Sequence, residues 1–194
     1  WGAEVLSRVD LRGDEAALDA GCGTGRVTEL LLEKLPQGTV LAVDGSAAMV
    51  EAAKNRFAGD SRVRVEQQDL LELRVEEPVD LVFSTATFHW IKDHERLFGR
   101  IAQSLKPGGR LVAQCGGEGN ISRATQATDE VMDEERFRPY FEDWTDDKHY
   151  ASAEDTKRRL EETGFGDVEA WLHDERAEFG SEEELTRFLG TGVL

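Results

Sequence analysis

Cysteine is nearly missing from this chain: Cys22 and Cys115 are the only two among 194 residues. Two distant thiols, each in or just after a predicted strand, make neither a disulfide framework nor a metal site, so a reducing cytoplasm is the expected compartment. Basic residues are also scarce, with 23 Lys and Arg against 40 Asp and Glu and a formal net charge of −17. Such a surface repels phosphate backbones and anionic headgroups, and no Lys/Arg cluster builds the basic face that a nucleic-acid enzyme needs. No apolar run reaches the length of a membrane span, and no signal-peptide pattern opens the chain. These absences leave a small molecule as the expected partner, with neither nucleic acid nor membrane. A salty habitat would also explain the acidic surface.

What is present suits one α/β domain. Hydrophobic residues make up 39% of the chain, enough for one continuous core. Short apolar runs alternate with amphipathic stretches, the pattern of a mostly parallel sheet with helices on both faces. Strands are predicted at Ala16–Ala20, Thr39–Val43, from Val63, at Val79–Phe83 and at Arg110–Gln114. Helices are predicted from Arg26, from a Ser46 cap with Met49, Val50, Ala53 and Phe57 on its apolar face, and from an Asp93 cap with Leu97, Ile101 and Leu105 inward. Lys106-Pro-Gly-Gly109 reads as the break before the fifth strand. After Cys115 the alternation stops, and residues 116–150 are polar and aromatic. Ser152 then caps a helix that ends at Gly164-Phe-Gly166, Val168 to Phe179 reads as a sixth strand, and Ser181-Glu-Glu-Glu184 opens a last helix.

The sharpest local signal is Asp19-Ala-Gly-Cys-Gly-Thr-Gly25, directly after a strand and before a helix. Glycine at 21, 23 and 25 permits a tight turn and close approach of a ligand, while the helix start behind it offers free N–H donors. A dinucleotide fingerprint also begins Gly-x-Gly, but its third glycine would fall where this chain has Arg26. That spacing favours a methionine moiety over a pyrophosphate and argues against a nicotinamide-dependent dehydrogenase. Asp44 ends the second strand about twenty residues on, where a carboxylate can accept from both ribose hydroxyls. Its other reading is a carboxylate at a helix start. Asp69 follows the third strand, in reach of an adenine amino group, though alone it would read as a solvated loop acid. All three acids lie at carboxyl-terminal strand tips, where open α/β sheets bind ligands.

Through these motifs the chain resembles the class I S-adenosylmethionine-dependent methyltransferases. The matching segments are the glycine loop, Val43-Asp-Gly-Ser46 with Met49, Gln68-Asp-Leu70, Asp80-Leu-Val-Phe83 and Leu105-Lys-Pro-Gly-Gly109, in order over roughly residues 16–114. The resemblance implies a Rossmann-like methyltransferase fold and S-adenosyl-L-methionine as cofactor. Asp19, Gly21, Cys22, Gly23 and Gly25 would hold its methionine portion and Asp44 with Gly45 its ribose. Asp69, Leu70 and Met49 would hold its adenine, with Ser84 also beside the cofactor; Met49 reads equally as a core methionine. Within the superfamily, Ala86-Thr-Phe-His-Trp-Ile-Lys-Asp-His94 is similar to the trans-aconitate 2-methyltransferase group, and malonyl-carrier-protein O-methyltransferases share that strand ending.

The implied reaction is O-methylation of a small carboxylate, which needs alignment more than a base. A hydroxyl or amine acceptor would need one, and His89 is the candidate, with His149 behind it. Trp90, Arg136, Arg138 and Tyr140 are the expected substrate contacts, since a guanidinium fork suits a carboxylate; surface ion pairing is the arginines' other reading, Arg123 included. A cofactor-binding module without activity is the remaining alternative. The division expected for this single methyltransferase domain is a cofactor half over 1–115, a substrate lid over 116–150 and a C-terminal sheet half over 151–194. The family's seventh strand, which lies between strands five and six, is not found here, and Gly190-Thr-Gly-Val-Leu194 carries no stop signal. The natural chain is therefore expected to run past Leu194, and the start at Trp1 suggests a loss at the other end too.

Overall fold

The structure, a computed structural model, describes residues 2–192. Its centre is a parallel sheet of five strands: β1 (Ala16–Ala20), β2 (Thr39–Asp44), β3 (Val63–Gln67), β4 (Val79–Thr85) and β5 (Leu105–Gln114), in the order β3-β2-β1-β4-β5. Around it lie α1 (Gly2–Ser7), α2 (Arg26–Lys34), α3 (Ala47–Arg56), α4 (His94–Ser104), α5 (Ser122–Met132), α6 (Ala153–Glu162) and α7 (Glu182–Gly192). The order reverses beside β1, so β1 and β4 diverge to opposite sides and leave a crevice at their carboxyl ends.

The two central strands are apolar almost without interruption because both of their faces are covered. Ala17, Leu81 and Phe83 face α1 and α2 with Leu6, Leu31, Leu32 and Leu35. Leu18, Ala20 and Val82 face the other way, toward Leu97, Phe98 and Ile101 of α4. This period of two along the strand is what divides one continuous run between two cores. Burying Phe83 completely contributes on the order of 1.5–3 kcal/mol. Polar side chains stitch the rim: Asp80 accepts from the Ala16 N–H at 2.9 Å and from Lys106 at 2.7 Å.

The expected caps form. Ser46 accepts from the Met49 N–H at 3.5 Å, Asp93 from Arg96 at 2.9 Å and Ser152 from Asp155 at 3.1 Å. Each satisfies one of a helix's orphan donors, worth about 1 kcal/mol.

Three expectations change. Leu105 leaves α4 in an extended conformation and pairs with Val79, so β5 takes in Lys106-Pro-Gly-Gly109 with a register shift instead of starting after it. The stretch after β5 holds a helix, α5, which its polar composition concealed; α5 buries none of its residues, so no apolar stripe announced it. The sixth strand does not form. Residues 168–179 have no ladder partner among the described residues, and Trp171 and Leu172 are 57% and 52% exposed. β-propensity records how a residue fits a paired, half-buried surface, and a strand with no neighbour has no such surface.

Candidate functional site

The crevice at the tips of β1, β2 and β4 is organised by the glycine loop. The N–H groups of Gly21 and Cys22 both donate to the Val43 carbonyl, at 2.8 and 2.9 Å, and Gly25 donates to Cys22 at 2.9 Å. Gly21, Gly23 and Gly25 all have positive φ, at 86°, 54° and 82°. Their surroundings differ, and the difference separates two jobs. A Cβ at Gly21 would collide with Thr87, and one at Gly25 would come within 2.5 Å of the Phe57 ring. At Gly23 a Cβ would meet nothing within 4 Å. The outer glycines let the loop pack, while the middle one faces open space, as a cradle for a ligand requires.

Two acids brace the loop. Asp19, 1% exposed, accepts from the Thr28 hydroxyl at 2.6 Å, which ties β1 to the first turn of α2. Burial pushes its carboxyl up to about 6, against the Thr28 hydrogen bond, and the nearby Asp44 charge adds to the rise. Asp44 accepts from the Gly23 N–H at 2.8 Å through Oδ2 and from the Ser46 N–H at 2.9 Å through Oδ1. Each oxygen has a second lone pair, so the half-buried carboxylate keeps acceptor capacity toward the crevice. Thr28 went unnoticed in the sequence; a hydroxyl within reach of a buried acid is visible only once strand and helix are placed.

The other expected cofactor residues take varied positions. Gly45 is exposed and its carbonyl accepts from Gln67 at 3.0 Å. Met49 is 40% exposed rather than a core residue. Asp69 is exposed and accepts from the Leu71 N–H at 2.8 Å, while Leu70 beside it is buried with Leu18 and Val43. Ser84 is buried and spends its hydroxyl on the Ala20 carbonyl at 2.6 Å, bracing β4 against β1. Cys22 is no nucleophile, because burial and the charges of Asp19 and Asp44 push its thiol up to about 12.

His89 and Trp90 sit in a short 3-10 turn after β4. Thr87, just before it, reaches the Gly21 carbonyl at 3.3 Å, so this turn leans directly on the glycine loop. The His89 Nδ1 accepts from the Gly116 N–H at 3.2 Å, and the ring stacks on Tyr150 with centroids 5.8 Å apart. Burial, helped by Lys148, holds its pKa below the usual imidazole value. The segment from 146 to 150 therefore belongs to this corner, where His149 was expected and Lys148 was not. The His149 N–H donates to the His89 carbonyl at 2.7 Å, and its ring meets His94 edge-on at 4.7 Å.

The arginines expected at the substrate turn to their own segment. Arg136 pairs with Glu134 at 2.8 Å over the Phe137 ring, Arg138 donates to the Asp133 carbonyl at 2.7 Å, and Tyr140 is 81% exposed. Among the described residues no hydrogen bond or ion pair joins them to His89 or the glycine loop. Their local acids compete for them, which residue type alone does not reveal. A separate hollow of about 410 Å³, lined by Arg12, Glu15, Asp80 and Lys106 among others, lies at the opposite rim of the sheet.

Residues 17–109 match the methyltransferase domain family. That segment is a domain of the S-adenosylmethionine-dependent methyltransferases. Over 112 residues the chain is 40% identical to the trans-aconitate 2-methyltransferase of Methylobacterium nodulans, covering 58% of this chain and 42% of the relative. It is 39% identical over 106 residues to the malonyl-acyl-carrier-protein O-methyltransferase of Priestia megaterium, covering 55% and 38%. The fold matches phosphoethanolamine N-methyltransferase 2 of Haemonchus contortus in complex with S-adenosyl-L-methionine, with a TM-score of 0.68 and 27% identity over 87% of this chain and 37% of the other. The chain spans about two fifths of the length of the curated relatives it matches. The five-stranded parallel sheet in the order 3-2-1-4-5 is this family's fold, and S-adenosyl-L-methionine is its cofactor. No helix of the described residues is long and apolar enough to cross a membrane.

Proposed function

We propose that this chain is the cofactor-binding core of an S-adenosylmethionine-dependent enzyme that methylates a carboxylate of a small acid, of the trans-aconitate kind. The observation that carries the reading is the glycine loop, packed shut at Gly21 and Gly25 and open at Gly23 beside the acceptor oxygens of Asp44. Similarity to trans-aconitate 2-methyltransferases over the same stretch supports the acceptor class.

In this reading Asp19 and the backbone of Gly21, Cys22, Gly23 and Gly25 hold the methionine end, Asp19 acting mainly through the loop it braces. Asp44 and Gly45 hold the ribose, and Met49, Asp69 and Leu70 frame the adenine, Met49 offering its exposed thioether to a ring face. Ser84 holds β4 to β1 beneath the site. When bound, the cofactor supplies a methyl group on a sulfonium, already activated for displacement. The protein's part is then to desolvate and align the acceptor. Residues 116–150 serve as the cover, on a cofactor half over 1–115 and ahead of a C-terminal part over 151–194. The free, protonated thiols suit a cytoplasmic setting.

Calorimetry with S-adenosyl-L-methionine and with NAD is expected to show binding of the first only. Release of S-adenosylhomocysteine across a panel of small acids that includes trans-aconitate then tests the acceptor. Binding of NAD, or cofactor binding with no acid methylated, sinks the respective half. As a cover, α5 should exchange its amide hydrogens far faster than β4 without ligand, and slow when cofactor and acid are both present. Equal exchange in the two elements would remove the lid.

A further inference from the structure

The turn after β4 and the segment before α6 meet at His89, and the bond between His89 and Gly116 fixes what that histidine can do. A backbone N–H has a hydrogen to give and no lone pair to offer, so Nδ1 must accept. A neutral imidazole with an unprotonated Nδ1 carries its single proton on Nε2. The tautomer is thus assigned by a hydrogen bond at the tip of β5. The depressed pKa agrees with a neutral ring. In this state neither nitrogen can take a proton from an acceptor, since Nδ1 is engaged and Nε2 is a donor.

Lys148 lies next to it. Its side chain is only 9% exposed, with Nζ 3.0 Å from Asp146 and 5.4 Å from the centre of the Trp90 ring. A lysine this buried needs anionic company. Asp146 provides one carboxylate, but an ammonium has three donors and one partner oxygen engages only one of them. Trp90, 46% exposed, and Tyr150, stacked on His89, give the corner two aromatic walls. Through Thr87 and Gly21 the corner is tied to the glycine loop, and through His149 to the segment that covers it.

We propose that His89 and Lys148 together receive an anionic acceptor, His89 as a neutral donor through Nε2–H and Lys148 as the cation. The role expected of His89 from the sequence, a general base, is replaced by recognition, and the role expected of Arg136 and Arg138 passes to Lys148. This rests on the carboxylate reading above and sharpens it: a carboxylate arrives already deprotonated and needs a donor and a cation, not a base.

Nitrogen-15 NMR of the histidines in this chain, with His89 assigned by its loss in His89→Gln, should show a neutral ring protonated at Nε2 at neutral pH. With trans-aconitate as probe, His89→Ala and Lys148→Gln should each raise KM about tenfold, the scale of one charge-assisted hydrogen bond. Lys148→Arg and His89→Gln, which keep a cation and a donor, should recover most of that loss, with kcat in His89→Gln within about threefold of the parent. Affinity for S-adenosyl-L-methionine should stay unchanged in all four variants. A ring protonated at Nδ1, or a His89→Gln variant that loses kcat well beyond threefold or recovers none of the KM lost in His89→Ala, overturns the donor role. A Lys148→Gln variant with unchanged KM overturns the cation. Failure of the parent to bind the cofactor would instead count against the proposed function, leaving the tautomer as a separate measurement.

Discussion

The chain from Leu6 to Ser104 and the chain beyond it have similar helices but different interiors. Every buried residue among those described lies in the first stretch, and none in the second. α4 and α6 make the point, since both are amphipathic. α4 lays Leu97, Phe98 and Ile101 fully against the sheet, whereas α6 buries no residue and reaches the core only through partly covered Leu160. An apolar stripe becomes stabilising only where a sheet face is there to receive it.

The largest expected consequence concerns the core itself. Phe83→Ala should cost about 3–5 kcal/mol in urea denaturation, and Trp171→Ala less than about 0.5, although both remove a large aromatic ring. Comparable losses would mean that residues 168–179 are packed in solution and the contrast is false.

Next in size is Asp44→Ala, which removes a charged acceptor facing the crevice and the brace on Gly23. Cofactor affinity should fall by about 1.5–3 kcal/mol by calorimetry. Unchanged binding would show that the loop holds its ligand without this carboxylate.

Asp19 should give a smaller effect that depends on pH. Its folded carboxyl lies at about 6, above the ordinary 3.8, so the fold favours the protonated form. Asp19's contribution is therefore complete below about 3.8 and is lost as pH rises through about 6. Asp19→Asn removes that dependence and can still accept from Thr28. Relative to the parent it should gain on the order of 1–2 kcal/mol in urea between pH 4.5 and pH 8. A constant difference across that range would show that Asp19 is no more acid-shifted than a surface carboxylate.

The smallest difference lies in the caps. Asp93→Ala, at the start of α4, should lower global stability by about 1 kcal/mol, because that helix unfolds with the sheet. Ser181→Ala removes a similar bond to Glu184, 3.2 Å long, at the start of α7, and should leave the global transition where it was. Equal shifts would place α7 in the same cooperative unit as the core.

The sheet was legible because its strands are apolar runs closed by glycine, proline and capping residues, signals that act within a few residues. Four of these strands formed where expected, and the fifth began earlier, at Leu105. The sixth, Val168 to Phe179, read as a strand from its apolar and aromatic residues, but it needed a neighbour and the described residues provide none. The glycine loop was equally legible, since positive φ is a local demand that only a few residues meet. The corner around His89 was legible only in part, through His89, Trp90 and His149. Arg136 and Arg138 looked right by charge, yet local carboxylates and carbonyls hold them. Lys148 carried no signal, because its burial depends on Trp90 and Asp146 meeting across a fold that joins distant segments.

The sequence alone determined the parallel sheet, the order of its first five strands along the chain, the helix starts and the ligand loop, each written in neighbouring residues through backbone sterics, capping and periodicity. Tertiary structure decided which glycine faces open space, which nitrogen of His89 carries the proton and which cation stands beside it. It also decided whether a strand-like segment finds a partner. Those outcomes depend on contacts between residues far apart in the chain, where burial and desolvation, not local preference, set the energy.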